Sequence, residues 1–207
     1  MDLRETYNKI AEDWHKDHKQ DNWWVEGTNE FISFLKPNSL VLDAGCGAGT
    51  KSKYLIDRGL KVVGIDFSDK LIEIAKREAP SGNFFVMDIN EADKLKENFD
   101  GIFAQAVLLH IQKKDAEKTL NKLLGVLKPG GYLYIAVKEK KFGGADEEIK
   151  TENDYGYPYE RFFSYFTLDE IKNLMIELGL AINYENISQY GYTRWIQVIG
   201  QQNKNGK

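Results

Sequence analysis

The run Val41-Leu42-Asp43-Ala44-Gly45-Cys46-Gly47-Ala48-Gly49-Thr50 constrains this chain more than any other stretch, because an apolar strand-like segment passes directly into a turn with glycine at alternate positions. Glycines let the backbone come close to a ligand, and free amides where a helix begins favour a negative group. A dinucleotide turn has the spacing G-x-G-x-x-G, whereas here Asp43 stands two positions before the first glycine and Thr50 follows the last. An acid ahead of the turn can accept from the ammonium of an amino-acid moiety while the amides face its carboxylate. A pyrophosphate offers no such cation.

Around this turn the chain alternates. Strand-like runs at Ser39 to Leu42, Lys61 to Ile65, Asn83 to Met87, Gly101 to Phe103 and Tyr132 to Val137 are separated by helix-like stretches, the rhythm of parallel strands joined by crossover helices. Ser68 is placed to cap a helix over Asp69 to Glu78. Asp115 to Leu127 carries apolar residues at helical spacing and meets a stop at Pro129-Gly130-Gly131. Thr167, with Glu170 three positions on, caps a helix to Leu178 that Gly179 ends. Two further runs, Ala181 to Ile187 and Arg194 to Ile199, connect so briefly through Tyr190-Gly191-Tyr192 that an antiparallel pair at a sheet edge is expected. Glu5 to His18 and Thr28 to Leu35 read as helices covering one side of the site. The expectation is one α/β domain over residues 1–200, with a helical cover at 1–36, an insertion at 138–166 and a polar tail at 201–207.

Composition narrows the function. With 32 acidic against 28 basic residues the formal net charge is -4, so no broad positive field draws phosphate backbones and nucleic acid is disfavoured. Met1 to Asn8 lacks an apolar core and no apolar run nears the ~20 residues of a bilayer span, so a cytoplasmic protein is expected. Cys46 is the only cysteine, and His15, His18 and His110 are the only histidines, a poor supply for a metal site.

Four more segments join the glycine turn in a resemblance to the class I S-adenosylmethionine-dependent methyltransferases that runs along nearly the whole chain. They are Val62-Val63-Gly64-Ile65-Asp66-Phe67-Ser68, Phe85-Val86-Met87-Asp88-Ile89, the stretch from Phe99 through Gln105 to His110, and Leu127-Lys128-Pro129-Gly130-Gly131-Tyr132-Leu133. The resemblance implies a doubly wound, Rossmann-like sheet of seven strands, mostly parallel with an antiparallel C-terminal edge pair and helices on both faces. It implies S-adenosylmethionine as cofactor and S-adenosylhomocysteine as product. In that scheme Asp66 grips both ribose hydroxyls, Asp88 accepts from the adenine amino group and Ile89 packs near the ring. Asp43, Gly45, Cys46, Gly47, Phe67 and Gln105 complete the cofactor set, and Tyr7 and Trp14 close over its methionine end.

Most of these residues keep a second reading. Asp43, Asp66 and Asp88 are also turn formers, and Tyr7 and Trp14 are also ordinary core residues. Cys46 has no neighbouring base evident and is read as a backbone contact, not a nucleophile. His110 is either a base that takes a proton from the acceptor or a residue that orders its loop. In Asp154 to Phe166, Tyr157, Arg161 and Phe162 either build an acceptor pocket, with Arg161 holding a carboxylate, or pack the insertion onto the sheet. Trp23 and Trp24, with Glu26, form the opposite wall or a protein contact. The resulting expectation is methyl transfer to O, N or S of a small molecule. A methyltransferase of protein or RNA, a non-catalytic binding protein of the same cofactor and a nicotinamide-dependent oxidoreductase are its rivals.

Overall fold

The computed structural model describes residues 2–203. Two helices come first, α1 (Leu3–His18) and α2 (Val25–Ser33). Asp2 caps α1 by accepting from the amides of Arg4 and Glu5. The alternating part follows as β1 (Leu40–Ala44), α3 (Thr50–Ile56), β2 (Lys61–Asp66), α4 (Asp69–Glu78), β3 (Asn83–Val86), β4 (Phe99–Gln105), α5 (Lys113–Leu124) and β5 (Leu127–Lys138). Beyond it lie β6 (Glu147–Glu152), β7 (Tyr159–Ser164), α6 (Leu168–Glu177), β8 (Leu180–Tyr190) and β9 (Thr193–Gln202).

Seven strands form one sheet in the order β3-β2-β1-β4-β5-β9-β8. The first five run parallel, and β9 is antiparallel to both β5 and β8. Both faces are covered, which is why the central strands are apolar on each side. On one face Leu42, Ile102 and Ile135 pack with Leu120 of α5 and Ile171 of α6. On the other, Val41, Phe103 and Tyr134 pack with Phe31 of α2 and Leu55 of α3. The winding reverses between β1 and β4, and the crevice outside the carboxyl ends at such a reversal is where ligands bind in open α/β sheets. Asp43, Asp66, Gln105 and Lys138 all lie at or next to those carboxyl ends.

Several expectations need correction. Helix α5 ends at Leu124, with Gly125 as its cap, and Pro129-Gly130-Gly131 lies inside β5, where the register shifts between Phe99 and Gly101 of β4. The proline-glycine run therefore marks an irregular strand start and not the helix stop. Gln201 and Gln202 pair with Tyr132 and Leu180, so they belong to β9 and not to a frayed tail; residues 204–207 lie outside the described residues. The 138–166 stretch contains an antiparallel hairpin, β6 with β7, in register from Glu147↔Ser164 to Glu152↔Tyr159. Between β3 and β4 there is only a 3-10 turn, Ile89–Lys94. The predicted caps at Ser68 and Thr167 are formed, the latter as a full capping box with Glu170. No helix among the described residues is long and apolar enough to cross a membrane.

Candidate functional site

The glycine turn is built where β1 ends. The amides of Gly45 and Cys46 both donate to the Ile65 carbonyl, at 2.8 and 3.0 Å, tying the turn to β2. Gly45, Gly47 and Gly49 all have positive φ, at 75°, 52° and 78°. At Gly45 a Cβ would stand 2.6 Å from Val107 Cγ2, so both backbone conformation and space demand glycine. Two carboxylates flank the turn. Asp66 accepts from the Gly47 amide through one oxygen and from the Ser68 amide through the other, each at 2.9 Å. Asp43 accepts from Ser52 Oγ at 2.5 Å. Burial pushes both carboxyls up to about 6, against these hydrogen bonds, which pull them down.

A cavity of about 250 Å³ opens above this turn. Tyr7, Trp14 and Phe67 line it from the cover side, and Asp43, Gly45, Cys46, Gly47, Asp66, Gln105 and His110 from the sheet side. Asp88 and Ile89 instead line an adjoining cavity of about 480 Å³. The two spaces share Gly45, Asp66, Phe67, Val107 and His110. Every residue expected to bind the cofactor thus lines one of two neighbouring cavities that have Asp66 in common. Asp88 has a structural task as well, since its Oδ1 accepts from the Asn90 amide at 2.7 Å and caps the 3-10 turn. Gln105 is the reverse case: it is buried, and neither its amide oxygen nor its amide nitrogen has a partner among the described residues. Unpaired buried amide atoms on a cavity wall are costly unless a ligand meets them.

His110 joins the cover to the wall. Its Nδ1 is 2.7 Å from the Phe162 carbonyl, which can only accept, so Nδ1 carries the proton and Nε2 accepts from the Tyr7 hydroxyl at 2.7 Å. Burial lowers its pKa to about 3, opposed by the Phe162 bond and aided by the charges of Arg161 and Lys138. A ring with both nitrogens engaged and so low a proton affinity is a poor base at neutral pH; the geometry favours the loop-ordering reading.

The expected acceptor residues are only partly brought together. Arg161 lines the cavity, but its Nε and Nη2 bind the two carboxylate oxygens of Glu152 at 2.6 and 2.7 Å, and its Nη1 donates to Tyr7 Oη at 3.5 Å. One edge of its guanidinium is therefore occupied by Glu152, an arrangement that favours the packing alternative over a grip on an acceptor carboxylate. Phe163, not Phe162, reaches the cavity, because side chains alternate along β7. Tyr157 lies off the cavity wall, donating to Asp13 Oδ2 at 2.8 Å with Lys9 Nζ 4.6 Å from its ring centre. Trp23 lines the cavity and stacks on Trp195 at 3.9 Å, whereas Trp24 is buried edge-on against Tyr54. Glu26 is absent from the wall. Sequence reasoning missed Lys51, Lys138 and Trp195, all on the cavity wall. Lys138 had a signal: it closes the fifth strand at the carboxyl edge, the position Gln105 holds on the fourth.

Comparison with known proteins agrees with this architecture. Residues 41–131 match the family described as a methyltransferase domain. The chain is 33% identical over 153 residues to a ubiquinone biosynthesis O-methyltransferase of Coxiella burnetii, a match covering 66% of this chain and 61% of that protein. It therefore spans about three fifths of the relative's length. Among solved structures, 1,6-didemethyltoxoflavin-N1-methyltransferase of Burkholderia thailandensis, with bound 1,6-didemethyltoxoflavin and S-adenosylhomocysteine, superposes with a TM-score of 0.77 at 18% identity, covering 97% of this chain and 87% of that one. Magnesium protoporphyrin IX methyltransferase of Synechocystis PCC 6803, with bound S-adenosylmethionine, gives a TM-score of 0.73 at 16% identity, covering 97% and 95%.

Proposed function

We propose that this chain transfers a methyl group from S-adenosylmethionine to O, N or S of a small molecule, a reading supported by the match of residues 41–131 to the methyltransferase-domain family and by the likeness to the O-methyltransferase of Coxiella burnetii. In this reading the chain through Gln202 acts as one unit, with 1–36 covering the site and 138–166 shaping its acceptor end. One observation carries it: two buried carboxylates, Asp43 and Asp66, flank a positive-φ glycine turn beside the unpartnered amide of Gln105.

The donor set fits the cofactor. Asp43 and Gln105 suit the ammonium and carboxylate of an amino-acid moiety, and Asp66 keeps one free lone pair on each oxygen for a vicinal diol. Asp88 and Ile89 stand on the adjoining space, where the adenine end belongs. When bound, S-adenosylmethionine supplies a methyl group already activated by its sulfonium.

The protein's own task is orientation. Tyr7 and Trp14 cover the space above Gly47, where Trp14 sits 3.5 Å from the place a Gly47 Cβ would take, and so exclude water. Holding donor and acceptor in line is worth roughly 7 to 11 kcal/mol, more than one acid or base supplies. Hence His110 has work to do without exchanging a proton: it fixes the Tyr7 hydroxyl and the β7 backbone. A small acceptor is supported by the relative named as a ubiquinone biosynthesis O-methyltransferase, and the similarly folded enzyme with bound 1,6-didemethyltoxoflavin is in keeping with it. Calorimetric titration of the stripped protein with S-adenosylmethionine and S-adenosylhomocysteine, followed by a methyl-transfer screen over small metabolites, tests the proposal. Absence of binding to folded protein ends it, and turnover confined to protein or RNA replaces the acceptor class.

A further inference from the structure

One ammonium on the cavity wall has no carboxylate partner, although the cations on neighbouring elements do. Arg161 is paired with Glu152, Lys150 with Glu148 at 3.2 Å, Arg194 with Glu139 at 2.8 Å, Lys140 with Asp146 at 2.9 Å, and Lys113 with both Asp146 and Glu170 at 2.8 and 2.7 Å. Lys138 lies on the cavity wall, and its Nζ has no ion pair and no hydrogen bond among the described residues, the only hydrogen bonds of the residue being those of its backbone. Its Nζ lies 4.0 Å from the ring centre of Phe163 and 5.8 Å from that of Trp195. Trp195 in turn stacks with Trp23 at an interplanar angle of 13°, which gives this end of the cavity flat apolar walls.

We propose that Lys138 is the anion-recognition residue of the acceptor end, and that the acceptor is a flat, aromatic molecule bearing a carboxylate. The inference rests on the methyltransferase reading for the word acceptor, but the site itself stands on the wall geometry. A half-buried ammonium among aromatic rings regains only part of its lost hydration from cation–π contact. A carboxylate is ionised at neutral pH without further cost and completes the charge with a charge-assisted hydrogen bond. The ammonium remains mostly protonated there: burial, then Arg161 and Lys150, lower it to about 8, with Glu152 and Glu148 opposing. Arg161 competes less well for the anion, because Glu152 already neutralises it and occupies its Nε and Nη2 edge. The second lysine of the cavity, Lys51, faces Asp21 and Asp43 and serves the opposite, glycine-turn end.

The test uses 2-naphthoate and its neutral counterpart 2-naphthamide, titrated into the full chain with quenching of indole fluorescence as readout, with and without S-adenosylhomocysteine. Wild-type protein is expected to bind naphthoate at least about tenfold more tightly than naphthamide, as one charged hydrogen bond predicts. Lys138→Met should erase the preference while leaving naphthamide binding in place, and Lys138→Arg should keep part of it. Equal binding of the two probes by wild type, no binding of either at millimolar concentration, or a preference that survives Lys138→Met overturns the proposal. Thermal unfolding of each variant guards against misfolding. A calorimetric titration of S-adenosylhomocysteine on the same samples separates the two ideas. Cofactor binding without probe preference sinks the anion site alone, and probe preference without cofactor binding sinks the methyltransferase reading alone.

Discussion

The Tyr7 hydroxyl and His110 Nε2, 103 positions apart in the chain, meet at 2.7 Å and fasten α1 to the segment that follows β4. The other ring nitrogen holds the Phe162 carbonyl, so a single imidazole joins the cover, the sheet edge and the hairpin strand β7.

That arrangement fixes the protonation state of His110. Its proton sits on Nδ1, and nitrogen NMR of the ring should show this tautomer, neutral across the ordinary range and titrating near 3. The unfolded chain takes up this proton near the ordinary value of about 6.5, so the contribution to stability is full above that pH and falls as pH drops through it. His110→Ala leaves the Phe162 carbonyl unsatisfied and weakens the Tyr7 contact, at a cost of about 1 to 3 kcal/mol for each group left bare, read by urea unfolding. A ring that titrates near 6.5 in the folded protein contradicts this account.

Asp43 and Asp66 separate by function more than by fold. Asp43 accepts from Ser52 of α3 and Asp66 from the Gly47 and Ser68 amides, so Asp43→Asn keeps shape and removes charge, whereas Asp66→Asn also sets its amide nitrogen against one of those two donors. Losing a charge-assisted contact of about 1.5 to 3 kcal/mol predicts roughly 10- to 100-fold weaker S-adenosylhomocysteine binding for each variant by calorimetry. Unchanged affinity in both would remove these carboxylates from the site.

The glycine turn, the parallel alternation and the caps at Ser68 and Thr167 were legible because each is a local pattern with one physical meaning. The hairpin of β6 and β7 was not. Glu147 to Glu152 reads Glu-Glu-Ile-Lys-Thr-Glu, largely exposed on both faces, so no alternation marks it as a strand. Its pairing with β7 alone makes it one. The acceptor wall failed for a related reason: choosing Phe162 over Phe163 needs the register of a strand whose existence had no signal. The two readings of Arg161 stayed open for the same reason, because Glu152 is its partner only across that hairpin.

Gly49 and Gly59 offer a matched test of packing. Both hold a left-handed backbone, with φ of 78° and 83°, so alanine at either carries a strain of about 1 to 2 kcal/mol. Only at Gly49 would the new Cβ also meet Ala75 Cα at 2.9 Å, whereas nothing lies within 4 Å of it at Gly59. Gly49→Ala is therefore expected to lose a further 1 to 3 kcal/mol, roughly, in chemical unfolding, through crowding between α3 and α4. Equal losses would mean that the close approach at Gly49 is relieved at no cost.

Binding of S-adenosylhomocysteine should respond to pH with a definite sign. Asp43 and Asp66 are raised by burial to about 6, and the ammonium and hydroxyls of the ligand prefer them ionised. Affinity is therefore full above about 6 and falls as pH drops through that value. The free protein shows the opposite trend from the same groups: the folded state holds their protons more tightly than the unfolded chain, whose aspartates titrate near 3.9. Their contribution to stability is thus greatest below that lower value and is lost as pH rises from about 4 to 6. Calorimetry at pH 7.5 and pH 5 should give weaker binding at pH 5, with protons released to the buffer on binding near pH 6. A flat profile with no proton release would mean that neither carboxylate meets the ligand.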